Sequence, residues 1–134
     1  MATPDDRLIS IVAAIAGTYL LLSAAGLLRR GVAETFMADL GARPASAHTV
    51  GAVAFFVGAS LLALALAGRD TLSILVGLTG VWWMLEGAVT LAAPHLLHAR
   101  TDAARHLRRM NLVAIPMGLL LLALSAAKFL EILP

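Results

Sequence analysis

Glu86 is the residue whose type and position say most about chemistry. It lies in a long apolar run, Thr71 to Ala93, about seven residues from the end of that run, or about 10 Å of helix. A carboxyl group in hydrocarbon costs at least about 2.5–3.5 kcal/mol on insertion scales, so Glu86 is expected to face other helices and not lipid. Thr79, Trp83, Glu86 and Thr90 follow a 4-3-4 spacing, which places them on one helical stripe. Tyr19 and Ser23 in the first apolar run are the expected partners across the interface. Pro116 in the last run removes a helical N–H and so frees the carbonyl of Leu112 as a further partner. Two readings follow. Glu86 is either a proton-accepting or cation-binding site, or a neutral acid that ties helices together by hydrogen bonds.

The histidines are the second set. His95 and His98 are one turn apart, His106 lies in the same connecting segment, and His48 stands at the start of the second apolar run. An H-x-x-H pair suits a metal, and His48 with His95 or His98 suits a haem. No carboxylate joins them at ligand spacing and the chain has no cysteine, so no metal or cofactor is expected. The lack of cysteine also excludes disulfides and a thiol nucleophile. No G-x-G-x-x-G, Walker loop, H-E-x-x-H or G-x-S-x-G occurs, and an enzyme is not expected.

The elements that must hold these residues are unusually apolar. Of 134 residues, 60% are hydrophobic and 13% charged, with a mean hydropathy of +0.91. Soluble domains carry about 25% charged residues, and a chain this short has too little interior to hide so much leucine, alanine and valine. An integral membrane protein is expected. A net charge of +2 does not indicate a nucleic-acid partner, because the basic residues end apolar segments and form no solvated face.

Four spans are expected, over residues 8–28, 47–67, 71–93 and 110–130, each about 20 residues and long enough for a hydrocarbon core of about 30 Å. The first is preceded by Asp5 and Asp6 and exceeds a signal-peptide core of about 7–15 residues, so it is expected to stay as a span. Arg29, Arg30, Arg43, Arg100, Arg105, Arg108 and Arg109 fall on one side, and Arg7, Arg69 and Lys128 on the other. By the positive-inside rule both longer loops are expected in the cytoplasm and both termini outside. Arg29, Arg30, Arg100, Arg105, Arg108 and Arg109 are expected to meet anionic headgroups, at about 1 kcal/mol each.

The chain reads as one membrane domain made of two copies of a hairpin, about residues 8–67 and 71–130. A shift of 60 lays Ala54 on Ala114, Gly58 on Gly118, and Leu61-Leu62-Ala63-Leu64 on Leu121-Leu122-Ala123-Leu124, and a shift of 61 brings Gly26 onto Gly87. Both copies would cross in the same sense, a parallel repeat about an axis along the membrane normal. Gly51 with Gly58, and Gly80 with Gly87, lie seven residues apart and so mark helix-packing faces, to which Ala114 and Gly118 belong by the repeat. Trp82 and Trp83 lie mid-span and read as bulky packing residues. Both cytoplasmic loops read as short amphipathic interfacial helices. Gly31 to Leu40 puts Val32, Phe36 and Leu40 on one face, and Pro94 to Arg109 brings Leu97, Ala104 and Leu107 together.

Two stretches carry a family likeness. One runs from Gly17 to Leu64 and includes His48-Thr-Val-Gly51-Ala and Gly58-x-x-Leu-Leu. The other comprises Leu85-Glu86-Gly87, Pro94, Leu107-Arg108-Arg109 and Gly118-Leu-Leu-Leu-Leu. Together they resemble small bacterial inner-membrane proteins of unknown function, including four-helix ones of the DoxX-like kind. The resemblance implies the fold and the location, with no activity to carry over. The expected role is a non-enzymatic membrane protein that packs against itself as a homodimer, against lipids, or into a larger complex. A small proton- or cation-coupled transporter or channel using Glu86 is the alternative, and a haem-binding redox subunit a weaker one.

Overall fold

The computed structural model describes residues 4–29, 31–93 and 103–132. Those residues form helices α1 (Pro4–Leu27), α2 (Val32–Ala42), α3 (Pro44–Ala65), α4 (Thr71–Ala92) and α5 (Ala103–Ile132). α1, α3, α4 and α5 are each long and apolar enough to cross a membrane, over Asp5–Leu27, Pro44–Ala65, Thr71–Ala92 and Leu107–Glu131.

Local chemistry sets the ends. Asp5 and Asp6 fall in the first turn of α1, where acidic groups complement the helix dipole, so the polar flank is helical too. Pro44 opens α3 at a first-turn position, which has no intrahelical use for its missing N–H. Asp70 caps α4 by accepting from the Ser73 N–H at 3.1 Å. α2 begins after Gly31, whose φ of 78° is left-handed and favours glycine.

The connecting segments depart from expectation. α2 does form, but its expected apolar face is split. Ala33 and Leu40, two turns apart, are buried against the bundle, while Val32 and Phe36 are 39% and 37% exposed. Of the expected helix over Pro94 to Arg109, only Ala103 to Arg109 are among the described residues. Residues 94–102, with His95, Leu97, His98 and Arg100, lie outside the described residues, and Ala103 onward is continuous with the fourth span. No glycine or proline occurs between Ala103 and Ile115 to stop that helix.

Of the two strong helix pairs, one is chain-consecutive and the other joins the first span to the last. α3 packs extensively on α4 and α1 on α5, whereas α1 with α3 and α4 with α5 barely touch; α1 and α4 meet moderately. The glycines explain the strong pairs. A Cβ on Gly58 would lie 2.5 Å from the Gly80 carbonyl oxygen, and one on Gly80 2.7 Å from that of Gly58. Gly51 and Gly87 oppose each other one step of seven along, and a Cβ on Gly87 would lie 2.6 Å from the Gly51 oxygen. In the other pair, Gly17 and Gly118 approach reciprocally at 2.8 and 2.9 Å by the same measure. Ser125 then donates its hydroxyl to the Ser10 carbonyl at 2.7 Å within that interface. Ala114 is half-buried and packs against the core cluster.

Burial repeats along the chain. A shift of 60 lays the buried Gly51, Gly58, Leu61 and Ala65 on the buried Asn111, Gly118, Leu121 and Ser125. A shift of 63 lays the buried Ile9, Ser10, Ala13, Ala16, Gly17 and Ala24 on the buried Leu72, Ser73, Val76, Thr79, Gly80 and Gly87. Ala24, not Gly26, therefore matches Gly87 in burial. A Cβ at Gly26 would have no neighbour within 4 Å.

Leucine at Gly58 or Gly87 must push backbone from backbone. Each variant is expected to lose more thermal stability in detergent than Leu62→Ala, with overpacking costing at least about 1–3 kcal/mol. Melting temperatures unchanged in both glycine variants would show that these faces are not tightly apposed.

Candidate functional site

The expected stripe on α4 is only partly a polar site. Thr79 is 5% exposed and its hydroxyl donates to the Leu75 carbonyl at 2.9 Å. The Thr90 hydroxyl donates to the backbone carbonyl of Glu86 at 2.8 Å. Both threonines are thus satisfied by their own helix. Trp83 packs against the core cluster and meets Tyr19 edge-on, with centroids 5.1 Å apart and rings at 78°.

Glu86 is half-buried, and its carboxyl hydrogen-bonds with the side chain of Trp82, one turn earlier on the same helix. The expectation that Tyr19 would serve Glu86 is corrected. Tyr19 is 57% exposed and its ring contact is with Trp83, because position 83, not 86, carries the bulky group toward α1. Ser23 is half-buried. Trp82 is 53% exposed and is therefore not an interior packing residue. α5 runs through Pro116 without ending.

The histidines and arginines are placed in part. His48 is exposed near the start of α3, His95 and His98 lie outside the described residues, and the side chain of His106 is likewise not described. Among the described residues no group of three or more His, Cys, Asp or Glu side chains gathers as for a metal. Arg29, Arg105 and Arg109 are exposed. Arg30 and Arg100 lie outside the described residues. Arg108 pairs with Glu34, tying α5 to α2.

Among the described residues Lys128 holds the most connected polar cluster. Its Nζ lies 2.9 Å from Oδ1 of Asp6 on α1 and also pairs with Asp70, the cap of α4. The Ser73 hydroxyl donates to the same Asp70 carboxylate. One ammonium thus joins α5, α1 and α4 at the end of the bundle that holds the turn between α3 and α4. Burial pushes the Asp70 carboxyl up, but hydrogen bonds from Lys128 and Ser73, with the Lys128 charge, outweigh it and hold its pKa below the ordinary value. The signal in the sequence was the D-x-x-S cap, Asp70 to Ser73, opposite an isolated lysine near the end of an apolar run. Asn111 was missed as well. It is 7% exposed, and its side-chain amide donates to the Leu107 carbonyl at 2.8 Å.

No known protein family, curated protein or solved structure matches this chain. The site must be read from its own geometry.

A carboxylate held low by its partners stabilises the fold above its unfolded pKa, and that contribution is lost as pH falls through the folded value. Asp70→Asn keeps a capping oxygen but loses the charge. It should be less stable than wild type at pH 7 by at most about 1 kcal/mol, since the pair is partly exposed. The gap should close below the ordinary value of 3.8. Asp70→Ala should lose about 1 kcal/mol more through the cap. Thermal melts in detergent between pH 7 and pH 3 check this, and a gap that does not change with pH would remove the ion pair from the account.

Proposed function

We propose that this chain is a small non-enzymatic protein of a bacterial inner membrane whose role is packing, with lipid, a second copy or a larger membrane complex as partner. The observation that carries the reading is the apolar exterior. Leu8, Ile11, Ile15, Tyr19 and Leu22 on α1, and Ile74, Leu78, Trp82, Leu85 and Val89 on α4, are all 46–69% exposed. Such stripes have no use in water, while lipid tails or a neighbouring helix cover them.

Three finer points belong to this reading. The matched burial of α1 with α4 and of α3 with α5 supports an ancestral duplication. Its two copies exchange partners, so that each strong pair takes one helix from each copy. α2, with Val32 and Phe36 open outward, suits the headgroup boundary, where Arg29 and Arg109 meet anionic lipid. The basic asymmetry supports a cytoplasmic α2 and both termini outside. Cysteine at Ala42 should then resist a membrane-impermeant thiol reagent in intact cells, and cysteine at Ala67 should react. The reverse pattern would invert the orientation.

The second reading makes Glu86 a coupling site, and its half-buried carboxyl beside Trp82 favours it. A flux assay in liposomes separates the two. Under the packing reading, wild-type protein shows no pH-dependent proton or cation flux. Glu86→Gln melts close to wild type because a hydrogen-bonding group of similar size remains, and Glu86→Ala loses about 1–3 kcal/mol. A flux present in wild type and abolished in a well-folded Glu86→Gln would replace packing by coupled transport.

A further inference from the structure

The two strong helix pairs are joined to each other differently from how each is joined within itself. Inside the pairs, backbone lies on backbone at Gly58/Gly80, Gly51/Gly87 and Gly17/Gly118. Between them, α1 and α4 share a lighter contact made of side chains, with Ile9, Ala13, Ala16 and Leu20 meeting Leu72, Val76 and Trp83 in the core cluster. The connections are also uneven. The chain passes from one pair to the other twice, between α1 and α3 by way of α2, and between α4 and α5. At the end of the bundle that holds α2, α1 and α4 finish and α3 and α5 start. Glu34 and Arg108 add an ion pair at that same end.

At the opposite end neither passage crosses. There Lys128 of α5 reaches across to Asp70 of α4 while also holding Asp6 within its own pair. We infer that the bundle is a hinged pair of rigid bodies, α1/α5 and α3/α4, which part at the end distal to α2 and are latched there by Lys128 and Asp70. Asp6 and Asp70 stand at the mouth of the seam that would part. The device rests on helix connectivity and the Lys128 cluster, and is independent of any role for Glu86. The hinge end keeps its two chain passages whatever the latch does, so movement is confined to one side of the membrane. Rigid-body motion of one packed unit against another is a recurrent mode of conformational change.

The chain has no cysteine of its own, so spin labels can be placed at will. Cysteines at the exposed Ala67 and Ala127 report across the seam at the latch end, and cysteines at Leu8 and Ala127 report within the α1/α5 pair. Electron–electron distance measurements are made in lipid nanodiscs on the otherwise unaltered chain and on Lys128→Gln, Asp70→Asn and Arg108→Gln backgrounds. Lys128→Gln and Asp70→Asn should each lengthen the Ala67–Ala127 distance by more than about 2 Å, above the helix shifts of about 1–2 Å typical of a retained packing. The Leu8–Ala127 distance should hold, and Arg108→Gln should leave both distances as they are. Asp70→Asn preserves the α4 cap, so it reads the latch even if Lys128→Gln does not fold. An unchanged Ala67–Ala127 distance without the latch would overturn the inference. Equal lengthening of both distances would do the same, because it means general loosening with no hinge.

Discussion

Close approach of helix backbones at glycine is the constraint on which the rest of this structure depends. In hydrocarbon, one helix gains little by hiding leucine against another, because lipid tails are as apolar as leucine. Association must come from dense van der Waals contact, which needs small residues at the crossing. Gly58 against Gly80 and Gly51 against Gly87 bring α3 and α4 together, and Gly17 against Gly118 does the same for α1 and α5. Alanines complete these faces, with Ala13 and Ala24 fully buried. The large side chains are thereby turned outward, which reverses the arrangement of a soluble domain of this length.

Polar groups follow from the same logic. With the interior so narrow, a hydroxyl or amide has room only if its own helix or the nearest backbone satisfies it. Thr79, Thr90 and Asn111 return their hydrogen bonds to carbonyls one turn back. Ser125 reaches across to Ser10, where the α1/α5 crossing is close enough for a hydroxyl to meet a neighbouring main chain. Charged groups are held at the two ends, Lys128 with Asp6 and Asp70 at one and Arg108 with Glu34 at the other. Glu86 is the exception in position, half-buried within its span with a Trp82 partner on the same helix.

The distribution of contacts makes the protein mechanically uneven. Two pairs closed by backbone contact flank a seam closed by side chains, and the chain bridges that seam at one end. Pairing each helix with one from the other half of the chain also ties the two halves together, since α1 with α3 and α4 with α5 barely touch.

Composition and run length alone determined the four spans, because a hydrocarbon core selects for about 20 apolar residues whatever the helices later touch. The seven-residue spacing of Gly51/Gly58 and Gly80/Gly87 was legible for a similar reason, as periodicity is a property of one helix. Partner choice was not. Chain order suggested the hairpins 8–67 and 71–130, yet the glycine faces of α3 and α4 match each other, and that match exists only when both helices are placed. Burial in α1 and α4 matches at a shift of 63 and not at the 61 that lays Gly26 on Gly87, since Gly26 resembles Gly87 in type while Ala24 shares its burial. For the candidate site, spacing placed Glu86 on a stripe with Thr79, Trp83 and Thr90, but could not tell that Trp83 would meet Tyr19 and Glu86 would meet Trp82. The Lys128 cluster was hidden more completely. Its members Asp6, Asp70 and Lys128 are far apart in the chain, and only the packing of α1, α4 and α5 brings the ammonium to both carboxylates.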